Sequence, residues 1–118
     1  MGSNSFDVTV VRPDEIRLGT GASRRFEGAA HGAGVSYFFV DNQPGQGSRR
    51  HWHPYPETWV VLEGDAAFTV GDRTVTAAAG DTVIGPAFVP HRFENVGTST
   101  LRLLCIHASD TIIQTVVD

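Results

Sequence analysis

Thirteen glycines and six prolines break this 118-residue chain into short pieces. No stretch between them carries the 3.6-residue apolar repeat of an amphipathic helix. What remains is a series of short runs, most of them rich in Val, Ile, Thr, Phe or Tyr, at residues 8–11, 24–27, 35–41, 58–62, 66–70, 73–76, 82–84 and 101–107. Branched and aromatic side chains suit a pleated surface. Many short strands separated by turn residues predict an all-β sandwich or barrel. Gly71-Asp72 is the natural two-residue turn of a hairpin joining 66–70 to 73–76. Pro13 to Arg17 reads as a single helical turn or a bend. The chain length suits one domain, residues 1–118, with its core over about 35–107.

Composition removes several classes of function. The formal net charge is −4, without a basic patch, which argues against nucleic acid as a partner. The longest apolar runs are a few residues, too short to cross a bilayer as a helix. The start, Met1-Gly-Ser-Asn-Ser, lacks the basic-then-apolar pattern of a secretory leader. Cys105 is the single cysteine, so no internal disulfide can form, and a cytoplasmic location is expected. Cys105 itself is expected to be a small buried apolar residue.

Chemistry concentrates between Gly45 and Gly64. His51 and His53 are two residues apart, so on an extended strand both imidazoles share one face. Two ring nitrogens can then meet one ion at about 2.0–2.1 Å. Pro54 and Pro56 stop that strand, because proline has no N–H for a sheet interior. Glu57 opens the next apolar run, Trp59-Val60-Val61-Leu62, and its carboxylate can reach back to the same ion. A second stretch, Gly80 to Asn95, offers His91 as the fourth ligand. Three nitrogens and an oxygen without sulfur suit one divalent transition metal: iron, manganese, nickel, zinc or copper.

The first stretch resembles the first cupin motif, with Gly45, His51, His53, Glu57 and Gly64 at every fixed position. The second resembles the second cupin motif, with Gly80, Pro86, His91 and Asn95 in place. It departs at Phe88, where the family usually has glycine, which bears on the turn before His91 and on the width of the pocket. The resemblance implies a double-stranded β-helix, or jelly-roll barrel, with a metal held by His51, His53, Glu57 and His91. It also implies a homodimer, with the N-terminal strand and the apolar tail 111–117 at the interface.

Side-chain parity supplies further candidates. Arg49 shares the parity of His51 and can point inward to hold a substrate carboxylate or enolate. His107, on the face of Leu103 and Cys105, can serve as an acid or base, or orient another group. Tyr37, Phe39, Trp59 and Phe93 are expected to form the pocket wall. No Ser-His-Asp constellation and no phosphate-binding glycine loop is present. The expected function is metal-dependent chemistry on a small organic molecule: dioxygenation or oxidative cleavage, or isomerisation or decarboxylation through an enolate. The alternative is a non-catalytic binding or sensing protein with a structural metal.

Overall fold

In a computed structural model that describes residues 7–117, the chain folds as two five-stranded sheets. The strands are β1 (Arg24–Phe26), β2 (Ser36–Asn42), β3 (His51–Trp52), β4 (Glu57–Glu63), β5 (Asp65–Val70), β6 (Arg73–Ala78), β7 (Thr82–Gly85), β8 (His91–Asn95), β9 (Leu101–His107) and β10 (Thr115–Val116). One sheet has the order β1-β2-β9-β4-β7 and the other β10-β3-β8-β5-β6, with every pairing antiparallel. Among the described residues the only helical pieces are two 3₁₀ turns, Pro13–Glu15 and Gly28–His31. This is the all-β jelly-roll architecture that the short apolar runs predict.

The core follows the two-residue period of the strands. On β9, Leu101, Leu103, Cys105 and His107 are buried while Arg102 is exposed. On β4, Glu57, Trp59 and Val61 point inward with them. The register sets Trp59 opposite Cys105 and Val61 opposite Leu103. From the other sheet Ala66, Phe68, Ala77 and Phe93 close over them. Full burial of a side chain the size of Phe68 or Leu103 contributes about 1.5–3 kcal/mol, so this layer carries the barrel. The upper end of β4 and β9 is apolar; the lower end is polar, and there the site is found.

Turns fall where the sequence places them. Gly71 has φ 62° and joins β5 to β6 as a two-residue hairpin. Gly64 has φ 87°, and a Cβ there would lie 2.6 Å from the Thr100 carbonyl oxygen, so no other residue fits without a backbone shift. Asn95 is buried and ties three loops together: its amide donates to the Asn42 and Ser99 carbonyls, and its Oδ1 accepts from Gly97 N–H.

One terminal expectation is corrected. Residues 8–11 form no strand in this chain; Val8 and Val10 are 80% and 57% exposed. Their β-branched composition fits a strand, but no edge of the same barrel receives them. The tail forms the short edge strand β10, where Thr115 pairs with Trp52 and Val116 with His51 and both stay exposed.

Candidate metal centre

Strand register brings the four candidate ligands together from both sheets. β3 pairs with β8 so that His51 stands opposite His91. In the facing sheet β4 runs between β7 and β9, which puts Glu57 opposite Gly85 on one side and His107 on the other. His53 and Glu57 flank the turn made by Pro54-Tyr55-Pro56. The ligand atoms of His51, His53, Glu57 and His91 all lie within 4.8 Å of one another, and all four residues are buried.

Hydrogen bonds define how the imidazoles present themselves. His51 Nδ1 is 2.6 Å from the Arg49 carbonyl oxygen, and His53 Nδ1 is 2.8 Å from that of Ile113. A carbonyl only accepts, so each Nδ1 carries the proton and donates it. Each Nε2 keeps its lone pair, the tautomer a metal ligand needs. His91 has no hydrogen-bond partner at either ring nitrogen, although both are buried. Its Nε2 lies 3.0 Å from Glu57 Oε1 but off the line of a hydrogen bond. His53 Nε2 is also 3.0 Å from Glu57 Oε1, with the geometry of a hydrogen bond, so a proton can sit between them when no cation does.

A lone pair facing a carboxylate oxygen at that distance is repulsive unless a proton or a cation lies between them. Ligands about 2.1 Å from a six-coordinate ion stand about 3.0 Å apart along an edge of the octahedron. Both Glu57–histidine spacings match such an edge, and a cation would satisfy the orphaned His91 nitrogen. The donor set therefore fits one divalent transition metal.

The local electrostatics agree. In the metal-free barrel protons on the facing rings take the cation's place: burial alone would raise the Glu57 carboxyl, yet His107, His53 and His91 hold it well below the usual carboxylate range. Burial lowers His51 below an ordinary histidine, and neighbouring His91 and His53 push the same way, against the Arg49 carbonyl. Both residues are thereby kept in their ligating forms.

A cavity of about 250 Å³ opens against His51 and Glu57. Arg49, His107 and Phe93 line it. The aromatic wall expected from Tyr37 and Phe39 is instead made by Phe38 and Val40. Tyr37 stacks on Phe26 at 5.0 Å, and the Arg24 guanidinium sits 4.0 Å from the Phe39 ring centroid, both on the opposite face of β2. Trp59 is 1% exposed and lies behind the site, edge-on to His91 at 4.8 Å, where it packs on Phe68. Phe88 has φ 66°, so it adopts the left-handed turn that favours glycine. Its ring is largely exposed and packs on Trp52 at 5.8 Å, leaving the cavity width unaffected.

Three contributors were not evident from the sequence. Tyr55, between the two prolines, is buried and places its hydroxyl 2.6 Å from His107 Nδ1. Burial raises the Tyr55 phenol above its ordinary value, so the hydroxyl keeps its proton. Gly85 leaves the space that Trp59 and His91 occupy: a Cβ there would sit 2.5 Å from the Trp59 ring and 3.3 Å from His91 Nδ1. The segment after β9 runs across the site, and Gln114 and Val116 line the cavity from it. Tyr55 had a faint signal, a lone aromatic in the link between two ligands; the other two had none.

Two antiparallel sheets that enclose three histidines and a glutamate define a β-barrel of the metal-binding kind. The chain belongs to the cupin family: the family model for the cupin domain matches residues 38–107. It is 35% identical over 69 residues to mannose-1-phosphate guanylyltransferase 2 of Escherichia coli O157:H7, covering 58% of this chain and 14% of that protein. It is 33% identical over 63 residues to polyketide synthase CurC of Streptomyces cyaneus, covering 52% of this chain and 41% of that one. The chain thus spans less than half the length of either relative. Among solved structures, Bacillus subtilis oxalate decarboxylase, described with Mn(II) centres, superposes with a TM-score of 0.75 at 25% identity, over 80% of this chain and 27% of that one. An oxalate oxidase superposes with a TM-score of 0.71 at 22% identity, over 80% and 54% of the respective chains, a likeness of fold.

Proposed function

We propose that the protein is a metal-dependent enzyme acting on a small organic acid with an apolar body. The observation that carries this reading is the cavity, which meets the candidate ligands His51 and Glu57 directly. A divalent transition metal held by His51, His53, Glu57 and His91 supplies a Lewis acid with coordination positions left for substrate or dioxygen. Arg49, at the cavity wall, matches a carboxylate through its fork of donors. Phe38, Val40, Phe93 and Val116 give the remainder an apolar lining suited to a hydrocarbon or aromatic body. The oxalate-processing neighbours support an acid as substrate, and the apolar walls point to one larger and less polar than oxalate. The reaction classes that suit the site are decarboxylation or isomerisation through an enolate stabilised by Arg49, and oxidative cleavage.

The test is turnover of a panel of 2-oxo acids and phenolic acids, with oxalate for comparison, by Mn(II)- or Fe(II)-loaded protein followed by NMR. Arg49→Gln should raise KM more than tenfold for any acid consumed. Azide should perturb the spectrum of Co(II)-substituted protein. An unchanged spectrum would mean a coordinatively closed site, leaving binding without turnover as the function.

The same proposal includes a homodimer and a reducing compartment. The exposed β-branched arm at residues 8–11 supports pairing with a second copy, and one buried cysteine fits a cytoplasmic setting. Sedimentation of the full chain and of a chain beginning at Arg12 tests the dimer; a monomer at micromolar concentration for both would refute it.

A further inference from the structure

The backbone of Ile113 makes two hydrogen bonds into the site, one through its carbonyl and one through its N–H. Its carbonyl accepts from His53 Nδ1 at 2.8 Å, and its N–H donates to the Tyr55 hydroxyl at 3.1 Å. Tyr55 oxygen, already accepting there, donates its own proton to His107 Nδ1 at 2.6 Å. That leaves the His107 proton on Nε2, which faces Glu57 Oε2 at 3.4 Å. The two hydrogen bonds run one way, from a backbone amide through Tyr55 to His107, whose Nε2 then stands in ion-pair range of the carboxylate. That contact turns Glu57 so that Oε1 is the oxygen left to His53 and His91. Tyr55 also stacks on His53, with ring centroids 5.1 Å apart and planes 9° from parallel.

The segment that supplies Ile113 is fixed to the barrel at several points. The Asp110 carbonyl accepts from Ala29 N–H at 2.8 Å, and Ile112 N–H donates to Glu27 Oε2 at 2.8 Å. Beyond Ile113, β10 pairs with β3, and Val117 N–H donates to the Arg50 carbonyl at 3.0 Å. We infer that the C-terminal segment, through the Ile113 backbone and the Tyr55–His107 pair, sets the orientation of His53 and Glu57 and so determines metal affinity. Tyr55 and His107 are positioning residues. The inference rests on the metal-site reading above. It explains why His107, buried with Nδ1 bonded to Tyr55 and Nε2 turned to Glu57, stands next to the ligands without being one of the four.

The test is Mn(II) affinity of the full chain at 25 °C, read from the room-temperature EPR signal of the free ion. Tyr55→Phe keeps the ring and removes the hydroxyl; it should weaken Mn(II) binding roughly 10–100-fold. His107→Gln removes the link at its other end and should do the same, which covers the case in which one variant fails to fold. Val61→Ala, a core truncation on β4, is the control for lost stability alone and should bind as the parent does. Dissociation constants for Tyr55→Phe and His107→Gln within twofold of the parent would overturn the positioning role while leaving the metal site standing. A parent protein that binds neither Mn(II), Fe(II) nor Zn(II) would remove the metal reading and this inference together.

Discussion

His91 offers the sharpest separation of stability from function. Its two ring nitrogens are buried without hydrogen-bond partners, and its Nε2 faces a carboxylate oxygen 3.0 Å away. An unsatisfied buried polar atom costs about 1–3 kcal/mol, so the metal-free protein carries a penalty of a few kcal/mol at this residue. Leucine is apolar and close to histidine in volume. In His91→Leu the penalty disappears, offset by lost ring contacts with Trp59, His51 and His53 and by one fewer neighbour for Glu57. The expected balance is a metal-free variant as stable as the metal-free parent or about 1–2 kcal/mol more stable. With metal at about 1,000 times its dissociation constant, the parent gains about 4 kcal/mol by mass action, and the variant should gain almost none. Urea denaturation of both proteins, each with chelator and with excess Mn(II), gives all four values. Two results would refute the reasoning: a metal-free variant more than about 2 kcal/mol less stable than the parent, or an undiminished gain with metal.

Gly85→Ala places a methyl group 2.5 Å from the Trp59 ring and 3.3 Å from His91 Nδ1. Overpacking of this kind costs about 1–3 kcal/mol, and displacement of His91 should also weaken Mn(II) binding, both readable from the same denaturation series. Phe88→Gly relieves a left-handed conformation worth about 1–2 kcal/mol but frees the unfolded chain by about 0.5–1 kcal/mol. The net effect should be a gain of up to about 1.5 kcal/mol with metal affinity unchanged, because Phe88 N–H to the His53 carbonyl, 2.7 Å, is a backbone bond. Acid should destabilise the metal-free barrel in two overlapping steps. His51 is lowered from 6.5 in the fold, so below that pH the unfolded chain takes up a proton that the fold resists. Glu57 is held below 4.5, so its contribution is present above that value and is lost as pH falls further. Urea midpoints should therefore decline steadily from pH 7.5 to 4, and a flat profile down to pH 5 would contradict the His51 step.

The ligands were legible in the sequence because a strand converts spacing into direction. His51 and His53 are linked by period two, and the prolines after them mark where the chain must turn Glu57 back. β2 was not legible in the same way. Tyr37, Phe38, Phe39 and Val40 are all apolar, so alternation gives no hint of which pair faces inward. The answer depends on β1, whose Arg24 and Phe26 cover the outer face through contacts with Phe39 and Tyr37. Parity gives the face of Trp59 but not its depth: two residues up β4 from Glu57 it stands behind His91 instead of at the mouth. Ile113 could not have been found at all, since it acts through its backbone and its side chain carries no message. That difference has a consequence for how such a site varies. Ligands are fixed by side-chain chemistry, whereas the frame that aims them needs only a backbone amide in the right place. Residues 110–113 can therefore change sequence freely so long as their path over the site is kept, whereas Gln114 and Val116 further on also line the cavity. A substitution that diverts the path, such as proline at position 113, removes the N–H that starts the chain of donors to His107.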